Sequence, residues 1–282
     1  MKSALIIVDV QNDFCKGGSL EVADANSIIP LINRLKELPT FDLVVLTRDW
    51  HSKNHCSFAA NNPGTKVFDM IKLPDTGVDQ VMWPVHCLQG SSGAEFHKDL
   101  QIKKNLDIIV SKGQLERVDS YSGFGSPPEK TDLEVVLKQH NITTVYCVGL
   151  AFDYCVGSTA FDAQMCGFDT HLLKDATRSV ATTSEQIMTE KLKNVGVFIH
   201  YSSDFMFECL SAPEPLCTRR VDSHQTKEAD VDEKTLCLQS GTAAATSTYA
   251  GYFDPYDAIP HSKEAPDLDE VQFKAIGDEW LQ

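Results

Sequence analysis

The chain has 282 residues, 42% of them apolar and 23% charged, with a formal net charge of −15 at pH 7. That length can bury a full core, and so acidic a chain argues against nucleic-acid and anionic-membrane partners, which need basic surface. Nine irregularly spaced cysteines, no CxxC pair and a start, MKSALIIVDVQ, that reads as a strand instead of a secretory signal point to reduced thiols and a cytoplasmic protein.

In chain order, ALIIV (4–8) and LVVLT (43–47) read as the first two strands, separated by the amphipathic helical pattern SIIPLINRLKEL. A long connection from 48 to 106 follows, and long ordered loops in compact domains tend to carry function. Then come DIIV (107–110), the helical DLEVVLKQH, TVYCVG (144–149), the helical VGSTAFDAQMCG, DTHLL (169–173), the helical TSEQIMTEKLKNVG, and GVFIH (196–200). Continuous β-branched runs suit strands covered on both faces. Their alternation with helices predicts an α/β domain over residues 1–210, built on a doubly wound, mostly parallel six-stranded sheet.

Composition changes near residue 208. From there on, 15 acidic residues stand against 6 basic ones, compared with 25 against 19 before it. Residues 211–282 read as an acidic, low-complexity, disordered tail. Phe273, Ile276 and Trp280, at helical spacing, leave room for a short terminal helix. The sequence names no partner for this tail and leaves homo-oligomerisation open.

In open parallel sheets, ligands bind beyond the carboxyl ends of the strands. Asp9 follows the first strand, Asp49 the second, Lys112 the third and Cys155 the fourth, so four chemically capable residues fall at one sheet edge. In TRDWHSKNH, Asp49 and His51 lie two positions apart, and in extended chain such residues point to the same side. WPVHC supplies His86. One carboxylate and two imidazoles suit a divalent metal, zinc first, with iron and manganese as alternatives. The competing reading makes Asp49 a cap and leaves the histidines in the core or on the surface. His55 and Ser57 are placed to assist through water; His97 is assigned to structure.

A free thiol of pKa about 8.5 is only a few per cent ionised at neutral pH. If Cys155 meets the Lys112 ammonium at a helix N-terminus, both favour the thiolate and can bring the pKa below about 7.5. Asp9 then orients the pair and takes the thiol proton, while the backbone N–H groups of Ala151 and Cys155 face a developing oxyanion. The alternative is an ordinary Lys112–Asp9 salt bridge beside an inert core thiol.

Together, the segments ALIIVDVQNDFCKGGSL, LTRDWHSKNHCSFA, WPVHCLQGSSGAEFH, SKGQ, DSYSGF and GLAFDYCVGSTAFDA resemble the nicotinamidase (pyrazinamidase) branch of the isochorismatase-like cysteine hydrolases. The resemblance runs from residue 1 to about 207. It implies an Asp9–Lys112–Cys155 catalytic triad, a metal held by Asp49, His51 and His86, and a cis Leu150–Ala151 peptide. It further implies a ring pocket lined by Phe14, Trp83, Tyr121 and Tyr154. The implied reaction is hydrolysis of nicotinamide to nicotinate and ammonia in NAD salvage, with pyrazinamide as a further substrate. An amidohydrolase of the same fold acting on a non-pyridine amide is the alternative. Phe152 and Val85 depart from the family pattern, which commonly has Thr and an acid there, and both bear on pocket shape. QNDFCKGGS does not form the Gly-rich phosphate loop that a nucleotide-binding domain needs.

Overall fold

The computed structural model describes residues 1–204. The acidic tail and terminal helix expected over 211–282 lie outside the described residues. In chain order the elements are β1 (Lys2–Val8), α1 (Ile29–Lys36), β2 (Leu43–Asp49), β3 (Met70–Lys72), β4 (Asp79–Val81) and β5 (Ile108–Lys112). They continue as α2 (Leu133–Gln139), β6 (Ile142–Leu150), α3 (Gly157–Met165), β7 (Asp169–Arg178), α4 (Thr182–Asn194) and β8 (Phe198–His200).

Six strands form one sheet in the order β5-β2-β1-β6-β7-β8, and every pairing is parallel. The strand–helix rhythm of the sequence produces this directly, because parallel neighbours need a crossover between them. β1 shows how the two layers are built. Its Ala4, Ile6 and Val8 pack on one face with Leu133 and Leu137 of α2, Ala160 of α3 and Leu192 of α4. Its Leu5 and Ile7 pack on the other face with Ile29, Ile32 and Leu35 of α1. Both faces are apolar because both are covered, and each fully buried aliphatic side chain contributes about 1.5–3 kcal/mol relative to exposure.

The long connection contains a small antiparallel hairpin, β3 with β4, that the sequence reading did not include. Three residues per strand are too few to show a period. Two other boundaries differ from expectation. Asp49 and Lys112 do not follow their strands but close them, and they stand opposite each other in the β2–β5 ladder. β7 runs on to Arg178, with a register shift where β6 approaches its end.

The carboxyl ends of β1 and β6 come unusually close. Gly149 has φ +114°, and a Cβ there would collide with the Val8 backbone. That approach brings the chain leaving β1 at Asp9 against the chain leaving β6 toward Cys155. No helix among the described residues is long and apolar enough to cross a membrane.

Candidate active site

Asp9 is the residue at which β1 turns out of the sheet, with φ +48°, a conformation that Asp tolerates better than most residues. Its N–H still bonds Thr47 O at 3.2 Å, and its Oδ1 accepts from Thr47 Oγ1 at 2.7 Å. Its other oxygen lies 2.9 Å from Lys112 Nζ, yet this buried atom has no aligned hydrogen-bond donor among the described residues.

Lys112 is fully buried at the end of β5. Its ammonium reaches Asp49 Oδ1 at 2.5 Å, Ser120 O at 3.0 Å and Cys155 Sγ at 3.4 Å. Burial alone would favour loss of its proton, but Asp49 and Asp9 outweigh burial and hold its pKa well above the ordinary value. The closest partner of this ammonium is therefore Asp49, on the neighbouring strand, and not Asp9.

Cys155 sits in a π-helical turn, Phe152–Val156, that runs directly into α3. The sequence placed it near a helix N-terminus, which is where the chain puts it. Tyr154 N–H and Val156 N–H both donate to Ala151 O, whereas the N–H groups of Ala151 and Cys155 take part in none of the turn or cap bonds. The Leu150–Ala151 peptide is cis. A carboxylate oxygen of Asp9, one of Asp49 and the Cys155 sulfur all lie within 4.8 Å of one another.

The thiol's acidity reverses the expectation. Burial raises the Cys155 pKa well above its ordinary value; Lys112 pulls it down, but Asp9 and Asp49 push it up again. One ammonium shared by two carboxylates leaves too little positive field for a standing thiolate. Asp9 is raised as well, first by burial and then by Asp49, in spite of Lys112. The Cys155 shift favours the proton staying on the thiol, beside a carboxylate of increased proton affinity.

Asp49 spends its two oxygens on different tasks. Oδ1 meets Lys112, while Oδ2 lies 3.5 Å from His51 Nε2 and 3.9 Å from His86 Nε2. His51 Nδ1 bonds Gly113 O at 2.7 Å and His86 Nδ1 bonds Pro84 O at 2.8 Å. A carbonyl can only accept, so each ring carries its proton on Nδ1 and turns the Nε2 lone pair inward. Three donor atoms converge within 4.8 Å, all on buried residues. Rings braced from behind by carbonyls, facing one carboxylate oxygen, form a donor set that suits a divalent cation.

Burial and the neighbouring His51 lower His86 to a pKa of about 4, which keeps it neutral and able to ligate. Burial would raise Asp49, but Lys112 and His51 reverse this and hold it well below the carboxylate range. His55 packs against His51 with centroids 4.1 Å apart and the rings tilted by 34°. Its Nδ1 meets Ser57 Oγ at 2.8 Å and its Nε2 meets Val118 O at 3.2 Å. Both nitrogens are thus engaged by protein groups, where the sequence had suggested assistance through water. His97 bonds Asn26 at 3.0 Å, in keeping with a structural role.

Both groups open into one cavity with about 420 Å³ of space between its atoms, open solvent at its mouth included. Phe14, Trp83, Tyr121 and Tyr154, the four expected ring-pocket residues, all line it, together with Asp49, His86, Ala151 and Cys155. Trp83 stands edge-on to Tyr154 at 5.0 Å and donates its indole N–H to Tyr121 Oη at 3.0 Å. Phe152 is buried in the core behind this wall, under the Lys174 ammonium at 3.7 Å, so its departure from the family pattern leaves the cavity lining untouched. Val85 is exposed and does not line the cavity.

Leu20, Val22, Val180 and Asp119 also line the cavity and were not singled out from the sequence. Neither was Gln11. Its side chain donates to Asp49 O at 2.9 Å and accepts from Asp49 N–H at 2.8 Å, fixing the backbone of that carboxylate. A polar residue three positions past an apolar strand was the available signal.

Residues 3–202 match the isochorismatase domain. The nicotinamidase of Acinetobacter baylyi is 45% identical over 179 residues, 63% of this chain and 81% of that protein. The solved nicotinamidase/pyrazinamidase of Acinetobacter baumanii is 45% identical with a TM-score of 0.68, covering 72% of this chain and 98% of that one. The pyrazinamidase of Pyrococcus horikoshii, solved in complex with zinc, is 36% identical with a TM-score of 0.58 over 71% of this chain and 99% of that one.

Proposed function

The chain belongs to the isochorismatase domain family and is an amide hydrolase, and we propose from this that it is a nicotinamidase. In this reading it hydrolyses nicotinamide to nicotinate and ammonia in NAD salvage, accepts pyrazinamide as well, and works in the cytoplasm. The observation that carries the reading is the single aromatic cavity with Cys155 and Ala151 on one wall and Asp49 and His86 on another. Nicotinamide is a flat ring with a carboxamide and a ring nitrogen, and it can address both walls at once.

Asp49, His51 and His86 would hold a divalent ion, zinc first, and that ion when bound supplies an open coordination position for a ring nitrogen. The aromatic walls fix the ring plane and place the carboxamide carbon over Cys155, and such positioning removes much of the barrier of a two-reactant step. Asp9 takes the thiol proton as sulfur attacks, which suits a raised Asp9 beside a raised Cys155. The N–H groups of Ala151 and Cys155 receive the oxyanion. Asp9 returns the proton to departing ammonia, leaving a thioester on Cys155, and then activates the water that releases nicotinate. Lys112 stays charged throughout and keeps Asp9 and Asp49 in place.

The test is ammonia release from nicotinamide and from benzamide, which lacks the ring nitrogen, with and without a chelator. Fast, chelator-sensitive turnover of nicotinamide and poor turnover of benzamide are expected. Equal rates on both amides would remove the ring-nitrogen role. Turnover of non-aromatic amides alone would establish the alternative substrate class.

A further inference from the structure

We propose that Glu129 is a positioning residue that ties the orientation of the His51 ring to the end of the strand carrying Lys112. This rests on the reading of His51 as a metal ligand. β5 is an edge strand, so beyond Lys112 the backbone leaves the sheet and its N–H groups lose their ladder partners. Glu129, buried and 16 residues further on, supplies partners to two of them. One carboxylate oxygen accepts from Gly113 N–H at 2.8 Å and the other from Gln114 N–H, also at 2.8 Å.

Gly113 connects this clamp to the site. Its carbonyl takes the Nδ1 proton of His51 at 2.7 Å, and its φ of +63° aims that carbonyl. A Cβ at 113 would collide with the His51 ring, so the ring lies directly on this backbone. Gln114 N–H lies in the same peptide plane as Gly113 O, so Glu129 grips the plane that sets which nitrogen of His51 faces Asp49. The loop bearing Glu129 also touches the other end of the same strand tip, since Ser120 O accepts from Lys112 Nζ at 3.0 Å. Ser126 N–H bonds Ser120 Oγ at 2.9 Å and Glu129 N–H bonds Ser126 O at 2.7 Å, so the loop from 120 to 129 is internally braced. Tyr121, on the same loop, is part of the cavity wall.

Partners that orient a ligating histidine typically change metal affinity by about 10- to 100-fold when removed. Glu129→Gln keeps the size of the side chain but replaces one acceptor with a donor. In chelator competition on the full chain with Zn²⁺, this variant should bind about 10-fold more weakly or worse, while its melting temperature stays near that of the parent. At saturating Zn²⁺, its kcat for nicotinamide should recover more than its kcat/KM. Should Glu129→Gln fail to fold, Glu129→Asp, one methylene shorter with both acceptors retained, should give an intermediate loss of Zn²⁺ affinity. His51→Ala is measured alongside. If His51→Ala loses Zn²⁺ and Glu129→Gln binds it within twofold of the parent, the coupling is wrong. If His51→Ala also keeps its Zn²⁺ affinity, the metal reading itself has failed.

Discussion

The two halves of the cavity are built on opposite electrostatic plans. Around Cys155, one ammonium is surrounded by two carboxylates and a thiol, so the charges answer one another within 2.5–3.4 Å. Around His51 and His86, two ring nitrogens, their rings braced from behind by carbonyls, face one carboxylate oxygen at 3.5 and 3.9 Å. In the first half the protein supplies its own counter-charges, although one Asp9 oxygen has no aligned donor among the described residues. The second gathers lone pairs, a donor set that a divalent cation would complete. Asp49 belongs to both, one oxygen to each, so the halves share a charge as well as a wall.

The largest effect should come from breaking the first half alone. Cys155→Ala should lower ammonia release by about 10⁴-fold or more, since removing a covalent nucleophile eliminates the route itself. Its metal content, measured by atomic absorption, should match that of the parent. Substantial residual turnover would mean that the sulfur is not the attacking group.

Removing the shared cation should cost stability as well as rate. Lys112→Met leaves Asp9 and Asp49 buried without their counter-ion, and breaking a buried pair from one side costs about 3–5 kcal/mol. Urea unfolding of the metal-free protein at pH 7 would read this directly. A loss below 1 kcal/mol would show that the two carboxylates find protons or water instead.

The second half should declare itself in the pH dependence. Burial and His51 lower His55 to about 4 from an ordinary value of 6.5. The unfolded chain therefore binds a proton there that the folded chain refuses, so the contribution is present above pH 6.5. It is lost as pH falls toward 4, by about 3 kcal/mol. Urea unfolding of the metal-free protein between pH 7 and 4 should show that slope, and His55→Asn should remove its share while leaving the share of His86, which is also lowered to about 4. An unchanged slope in the variant would place the sensitivity elsewhere.

Much of this was legible in the chain, and the particular residues show why. The unbroken apolar run ALIIV dictates a strand with two covered faces, and Ala4, Ile6 and Val8 do part from Leu5 and Ile7. Asp9, Asp49, Lys112 and Cys155 could be assigned to one sheet edge because strand ends follow from local pattern. The hairpin of β3 and β4 could not be read, being too short to carry a period. Glu129 and Gln11 were silent for a different reason. Their partners are backbone groups 16 and 38 residues away, and backbone groups look alike in every sequence.

The thiol marks the boundary most clearly. Residue types alone suggested a cation lowering the Cys155 pKa, and the cation is there at 3.4 Å. What reversed the sign was burial first, and then Asp9 and Asp49 facing the same thiol, the latter held there by its in-register pairing with Lys112 across β2 and β5. Sequence by itself determined the sheet, its two apolar faces and which side chains reach its edge, because these follow from local periodicity and residue chemistry. Only the tertiary structure decided which carboxylate neutralises which cation and how little water remains, because fields and solvation depend on distances between residues far apart in the chain.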